Sequence, residues 1–182
     1  MNKKDLKKIL MFHKEWLENP EQGMRAFLVD EHLVGADLRN ADLRYGDFHG
    51  ANLIGANLQG SDLRWANLQG VHWLYSKLQN ACLQGADLHG VNLRCVDLQG
   101  ADLEGVNLRG ANLSGSDLSF ANLRDSDLQD AYLIKTDLRG ADLRNTNLRG
   151  SKLCGADLTG ADLTGADLRD AKGLKERDNE NE

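Results

Sequence analysis

The amino-acid sequence predicts an all-β solenoid, a chain wound into a rod by a five-residue repeat, with an α-helix at its N-terminal end. Three observations predict it. A large apolar residue recurs at every fifth position from Leu28 to Leu168 without a slip of phase; of these 29 positions, 27 are leucine and two are Phe48 and Trp73. A small residue stands two places before it (Ala36, Ala41, Ala51, Ser61, Val91, Thr136), and Asp or Asn usually lies between (Asp37, Asp42, Asn52, Asn57). Glycine or asparagine closes many units (Gly35, Asn40, Gly50, Gly55, Gly60, Gly70), as the positive-φ position of a type II turn requires. A period of five fits neither the 3.6 of a helix nor the 2.0 of a strand. The chain must therefore turn every few residues, and a short extended piece followed by a tight turn makes a coil.

Composition agrees. The 182 residues fit one structural unit, and 41% hydrophobic with 27% charged residues describes a chain that folds. One proline and 5% aromatics stand against 19 glycines. The net charge of −6 disfavours direct binding to nucleic acid, which needs a basic surface to displace counterions. The lysine-rich start has no apolar stretch or small-residue cleavage site after it, and no run approaches 18 apolar residues. No membrane association and a cytoplasmic location are expected. Cys82, Cys95 and Cys154 have neither CxxC spacing nor an even count, so reduced thiols are expected rather than a disulfide framework or zinc site.

The tandem Ala-Asp/Asn-Leu-x-Gly units, from Ala26 to Ala171, resemble the pentapeptide repeat family. The resemblance implies a right-handed quadrilateral parallel β-helix with four units per coil. The central leucine and the preceding small residue point inward, and the other three residues point outward. Unusual residues recur at multiples of 20, as four sides require: Val34, Ile54, Leu74 and Ile134; Tyr45 and Trp65; His32 and His72; His49 and His89. Units from Leu33 to Leu168 make seven coils, a rod about 34 Å long at the spacing of parallel strands.

Three segments follow: a capping helix and linker over 1–25, the β-helix over 26–171, and a charged tail over 172–182. Leu6, Ile9, Leu10, His13, Trp16 and Leu17 fall at helical spacing on one face, with Asn2 as N-cap and Asn19-Pro20 as the stop. That apolar face is expected to cover the first coil, whose backbone groups would otherwise be unpaired. No second helix covers the C-terminal coil, which is left to the tail or to another copy of the chain.

The outward columns are unequal. The side through Leu33, Leu53, Trp73, Leu93, Leu113, Leu133 and Leu153 carries Val34, Ile54, Leu74, Tyr75, Tyr132 and Ile134, with Arg94 and Ser114 interrupting. Elsewhere Arg, Gln, Asp, Asn and Thr predominate. An apolar stripe of this kind marks a contact site, and Val34, Ile54, Trp73, Leu74, Tyr75, Tyr132 and Ile134 are its candidate residues. Within Val71-His72-Trp73-Leu74-Tyr75 the sequence leaves open whether Trp73 widens its coil or swings outward to join Tyr75. Tyr45 and Trp65 are expected to stack beside Arg44 and Arg64.

No catalytic or metal centre and no cofactor are expected. His32 and His72, like His49 and His89, stand two coils apart, roughly 9–10 Å at strand spacing, too far to share a zinc ion. The aspartates alternate with arginines such as Arg39, Arg139 and Arg149 and read as surface ladders rather than acid/base pairs. The expected function is a scaffold for an unidentified protein partner. One alternative, implied by the family resemblance, is a DNA mimic that docks to a type II topoisomerase such as DNA gyrase, although residues 36–171 hold 18 acidic and 13 basic side chains and no projecting loop. Another is a homodimer through the apolar stripe or the C-terminal coil.

Overall fold

The computed structural model describes residues 3–174. The five-residue units are joined by parallel bridges between residues 20 apart: His32 with Asn52, Asp37 with Asn57, Asp42 with Asp62, Asp47 with Asn67. One coil is thus four units, and the coils stack in parallel. The Leu33 and Gly35 N–H groups donate to the carbonyls of Asn52 and Ile54 at 2.8 and 2.9 Å, while the Asn52 N–H reaches the Glu31 carbonyl at 2.9 Å. The extended pieces stay short because every unit then turns.

The corner is the predicted turn. The Ala36 N–H donates to the Leu33 carbonyl at 3.0 Å, and Gly35 between them has a φ of 63°. Asp or Asn before the leucine finishes the turn, its side-chain oxygen accepting the N–H two residues on, as Asn52 does from Ile54 at 3.1 Å. Several aspartates also hold the arginine at that position. Arg39, Arg64, Arg139 and Arg169 each fork onto the aspartate two residues before them, and the longer reach to the next coil, Arg44 to Asp62, is 3.7 Å. The shortest ion pairs are therefore internal to a unit, and longer ones, Arg44 to Asp62, Arg139 to Asp157 and Arg144 to Asp162, link successive coils as surface ladders do.

Inside, the leucines from Leu28 to Leu153 are almost wholly buried beside Ala, Val, Ser and Thr. Each such leucine contributes about 1.5–3 kcal/mol relative to exposure. Buried hydroxyls find leucine carbonyls: Thr136 Oγ1 donates to Leu113 at 2.8 Å and Ser126 Oγ to Leu123 at 2.6 Å. Phe48 fits because Gly46 precedes it; a Cβ there would stand 2.8 Å from the Phe48 ring and 3.0 Å from the Leu43 carbonyl oxygen.

Helix α1, Lys3–Glu18, lies over the first coil. Leu6 and His13 are buried, Ile9 and Leu10 pack partly buried against the core, and Trp16 and Leu17 are half-buried. His13 Nδ1 accepts the Ala26 N–H at 3.0 Å, tying the cap to the start of the repeat. Gly23 passes so close to α1 that a Cβ would meet the Phe12 carbonyl oxygen at 2.3 Å. Asn2 and the tail from 175 onward lie outside the described residues. Among the described residues, no helix is long and apolar enough to cross a membrane.

Candidate protein-interaction face

The first face runs through Leu33, Leu53, Trp73, Leu93, Leu113, Leu133 and Leu153; the second, third and fourth follow Leu38, Leu43 and Phe48 in the direction of the chain. Val34 and Tyr75 on the first face are well exposed, Leu74 and Tyr132 less so, and Ile54 and Ile134 are half-buried. Lys152 lies over the Tyr132 ring, 3.9 Å from its centroid. Trp73 is corrected: it is 1% exposed and cannot be a surface member of the stripe. Its indole points into the core, where burial of its large apolar ring is favourable.

This has a consequence for the backbone. Unlike Phe48, Trp73 follows no glycine; Val71 precedes it and Val91 lies one coil on, both buried. Trp73 with Val71 and Val91 brings more side-chain volume here than the usual Leu and Ala, and the coils part. The bridges Asn67 to Asp87 and His72 to Asn92 are missing from otherwise continuous ladders. Leu68, Gly70, Trp73 and Tyr75 donate no backbone hydrogen bond to the next coil, whereas the equivalent Phe48, Gly50, Leu53 and Gly55 all do. The Trp73 Nε1 is buried without a hydrogen-bond partner. Where the ladder opens, a cleft of about 420 Å³ is lined by Ile54, Val71, His72, Trp73, Leu74, Val91 and Arg94. Arg94, which interrupts the stripe in sequence, forms part of the cleft wall.

Tyr75 sits at the left-handed position with a φ of 60°, a conformation costly for a bulky side chain. Other residues in that position lean on the glycine one coil further: Trp65 on Gly85, Phe120 on Gly140, Asn40 on Gly60. Tyr75 has Cys95 in place of that glycine one coil further and is 63% exposed. Phe120 on the second face, 67% exposed, is an aromatic that the sequence reading passes over; its signal is an aromatic where glycine usually closes the unit.

The other singled-out residues fall elsewhere. Tyr45 and Trp65 stack at 5.3 Å on the third face, and Trp16 of the cap joins them edge-on to Tyr45 at 6.4 Å. Arg64 covers Trp65, while Arg44 is turned to Asp42. His32 and His72 each bridge Asn52 from opposite sides. No group of three or more His, Cys, Asp or Glu that could hold a metal ion occurs among the described residues. The three cysteines are unpaired, and burial pushes the Cys82 thiol above its usual range.

With this geometry established, similarity to other proteins is informative. The sequence model described as "Pentapeptide repeats" matches in 8 copies over residues 32–70, 76–110, 111–150 and 141–172. Between residues 32 and 172 it omits only 71–75, the unit of Trp73. The structure is similar to HetL, a pentapeptide repeat protein involved in heterocyst differentiation regulation from the cyanobacterium Nostoc sp. strain PCC 7120. Identity is 32%, 81% of this chain and 78% of that one are covered, and the TM-score is 0.58. It is also similar to trypsin-treated QnrB1, a plasmid-mediated fluoroquinolone resistance protein, at 19% identity, 82% and 85% coverage, and a TM-score of 0.62, a likeness of fold alone. With these neighbours the fold is a right-handed quadrilateral β-helix with an N-terminal helix. No curated protein matches the chain.

Proposed function

The chain belongs to the pentapeptide repeat family, and from that premise we propose that it is a non-catalytic scaffold that binds another protein through its first face. The observation that carries this reading is the open ladder beside Trp73, where exposed Leu74 joins Ile54 and Val71 on the apolar side of a cleft whose other lining, His72, His89, Asn92 and Arg94, is polar, and exposed Tyr75 follows Leu74 in the chain. Apolar surface of this kind on an otherwise polar rod marks a contact site. Its non-catalytic character is supported by the aspartates, many of which accept the backbone N–H two residues on or an arginine fork. The three unpaired thiols support a cytoplasmic location. Retention of proteins from cell extract on immobilised wild type and on Ile54→Glu/Leu74→Glu tests the reading. Specific partners should be lost with the double variant at unchanged thermal stability, and an identical retained set refutes it.

Two further readings have an observation each. The C-terminal coil presents half-buried Leu158, Leu163 and Leu168 around a cleft of about 940 Å³, which favours pairing with a second copy; sedimentation at micromolar concentration tests it. The concentration of acidic residues on the second to fourth faces favours DNA mimicry toward a topoisomerase. A gyrase supercoiling assay unaffected by a large excess of the protein dismisses it.

A further inference from the structure

The charge pattern names the chemistry of a first-face partner, an inference that rests on the reading above. From Asn52 to Lys172 the outward positions of this face carry no Asp or Glu; every acidic side chain between 36 and 171 lies on the other three faces. The basic residues of the first face, Arg94, Lys135, Lys152 and Lys172, all stand in its C-terminal half, whereas Val34, Ile54, Leu74 and Tyr75 stand in its N-terminal half. The cleft beside Trp73 lies at the junction, with Ile54 and Leu74 on one side and Arg94 on the other. A chain of net charge −6 has thus kept this face free of acid from Asn52 onward.

We infer that this face binds an acidic protein segment which seats an apolar side chain in the cleft and lays carboxylates toward Arg94, Lys135 and Lys152. The three acidic faces repel such a segment, so charge selects the docking side as well as the partner. Apolar burial in the cleft supplies the anchor. The N–H of exposed Tyr75 donates no backbone hydrogen bond to the next coil and would meet a carbonyl of the segment. Tyr75, held exposed in a strained conformation with no ring packed on it among the described residues, directly follows Leu74 of the cleft wall. An anionic membrane matches less well, because a bilayer is laterally uniform while this face is divided into an apolar and a cationic half.

A phage-displayed library of random 16-residue peptides, selected on wild type, tests this. The selected peptides should combine Asp or Glu with large apolar residues and bind at least about tenfold more weakly to Lys135→Glu/Lys152→Glu and to Ile54→Glu/Leu74→Glu. Peptides that lose affinity only with the second variant leave the first face as a binding site but overturn the acidic partner. Absence of enrichment, or indifference to both variants, refutes the face itself. Phosphatidylserine vesicles captured by wild type and released by the lysine variant overturn the proposal in favour of a membrane. All lie at outward positions, and thermal melts of both variants verify folding.

Discussion

Replacing Trp73 by leucine should stabilise the protein, contrary to the usual result of shrinking a buried side chain. Trp73→Leu removes apolar surface from the core at a cost of about 1.5–2 kcal/mol by area. It also removes the buried Nε1 that lacks a partner, relieving about 1–3 kcal/mol. With a leucine beside Val71 and Val91 the coils can close, restoring the interrupted bonds of Leu68, Gly70, Trp73, Tyr75, Asp87 and Asn92. Such bonds are worth about 0.5 kcal/mol each at an exposed edge, about 3 kcal/mol together. The net gain is about 2–4.5 kcal/mol, which raises Tm by roughly 4–18 °C in a chain of this size. Calorimetry measures Tm, and hydrogen exchange reads protection at the amides of 68, 70, 73 and 75. A lower Tm with those amides still exchanging fast refutes overfilling as the cause of the open ladder. A gain in Tm with loss of peptide capture would show that the strain serves the cleft.

Gly46→Ala should cost about 1–3 kcal/mol by crowding the Phe48 ring, and adding Phe48→Leu should recover most of it; thermal unfolding of the single and double variants checks this. Leu98→Lys, at a position 1% exposed, buries a charge without a partner and should unfold or aggregate the rod; a wild-type melt would refute the inward-leucine core. Acidification should loosen the cap. His13, buried and accepting the Ala26 N–H, is lowered below its usual 6.5 by burial, with Asp42, Arg44 and Arg25 as its charged neighbours. Its folded pKa is the lower one, so its contribution is complete above about 6.5 and is lost as pH falls from there toward the folded value. Melts of wild type against His13→Leu over pH 7.5 to 4.5 should show that slope only in wild type.

Much of this architecture was legible in the sequence because a five-residue period fixes which side of the chain each residue occupies. Once Leu33, Leu38, Leu43 and Phe48 point inward, Asp37 or Asn52 must sit before a turn, and the four units per coil that the family resemblance implies put Val34, Ile54 and Leu74 on one side. Every unit repeats one hydrogen-bond pattern, so local identity carries over to the whole rod. Likewise the apolar stripe of α1, Leu6, Ile9, Leu10 and His13, had only the first coil to cover. Trp73 was not decidable that way. Whether an indole enters the core depends on the volume left by Val71 in its own unit and Val91 one coil away, and such fits between stacked coils leave no mark in the period. The same dependence hid the match of Gly46 to Phe48, the cleft, and the promotion of Arg94 from interruption to wall. Sequence alone determined the coil and its phase, because these follow from backbone geometry repeated every five residues, and with the four-unit coil implied by the family resemblance it also showed that the sides are unequal. Only the tertiary structure decided where the ladder opens, because that depends on side-chain volume summed across neighbouring coils.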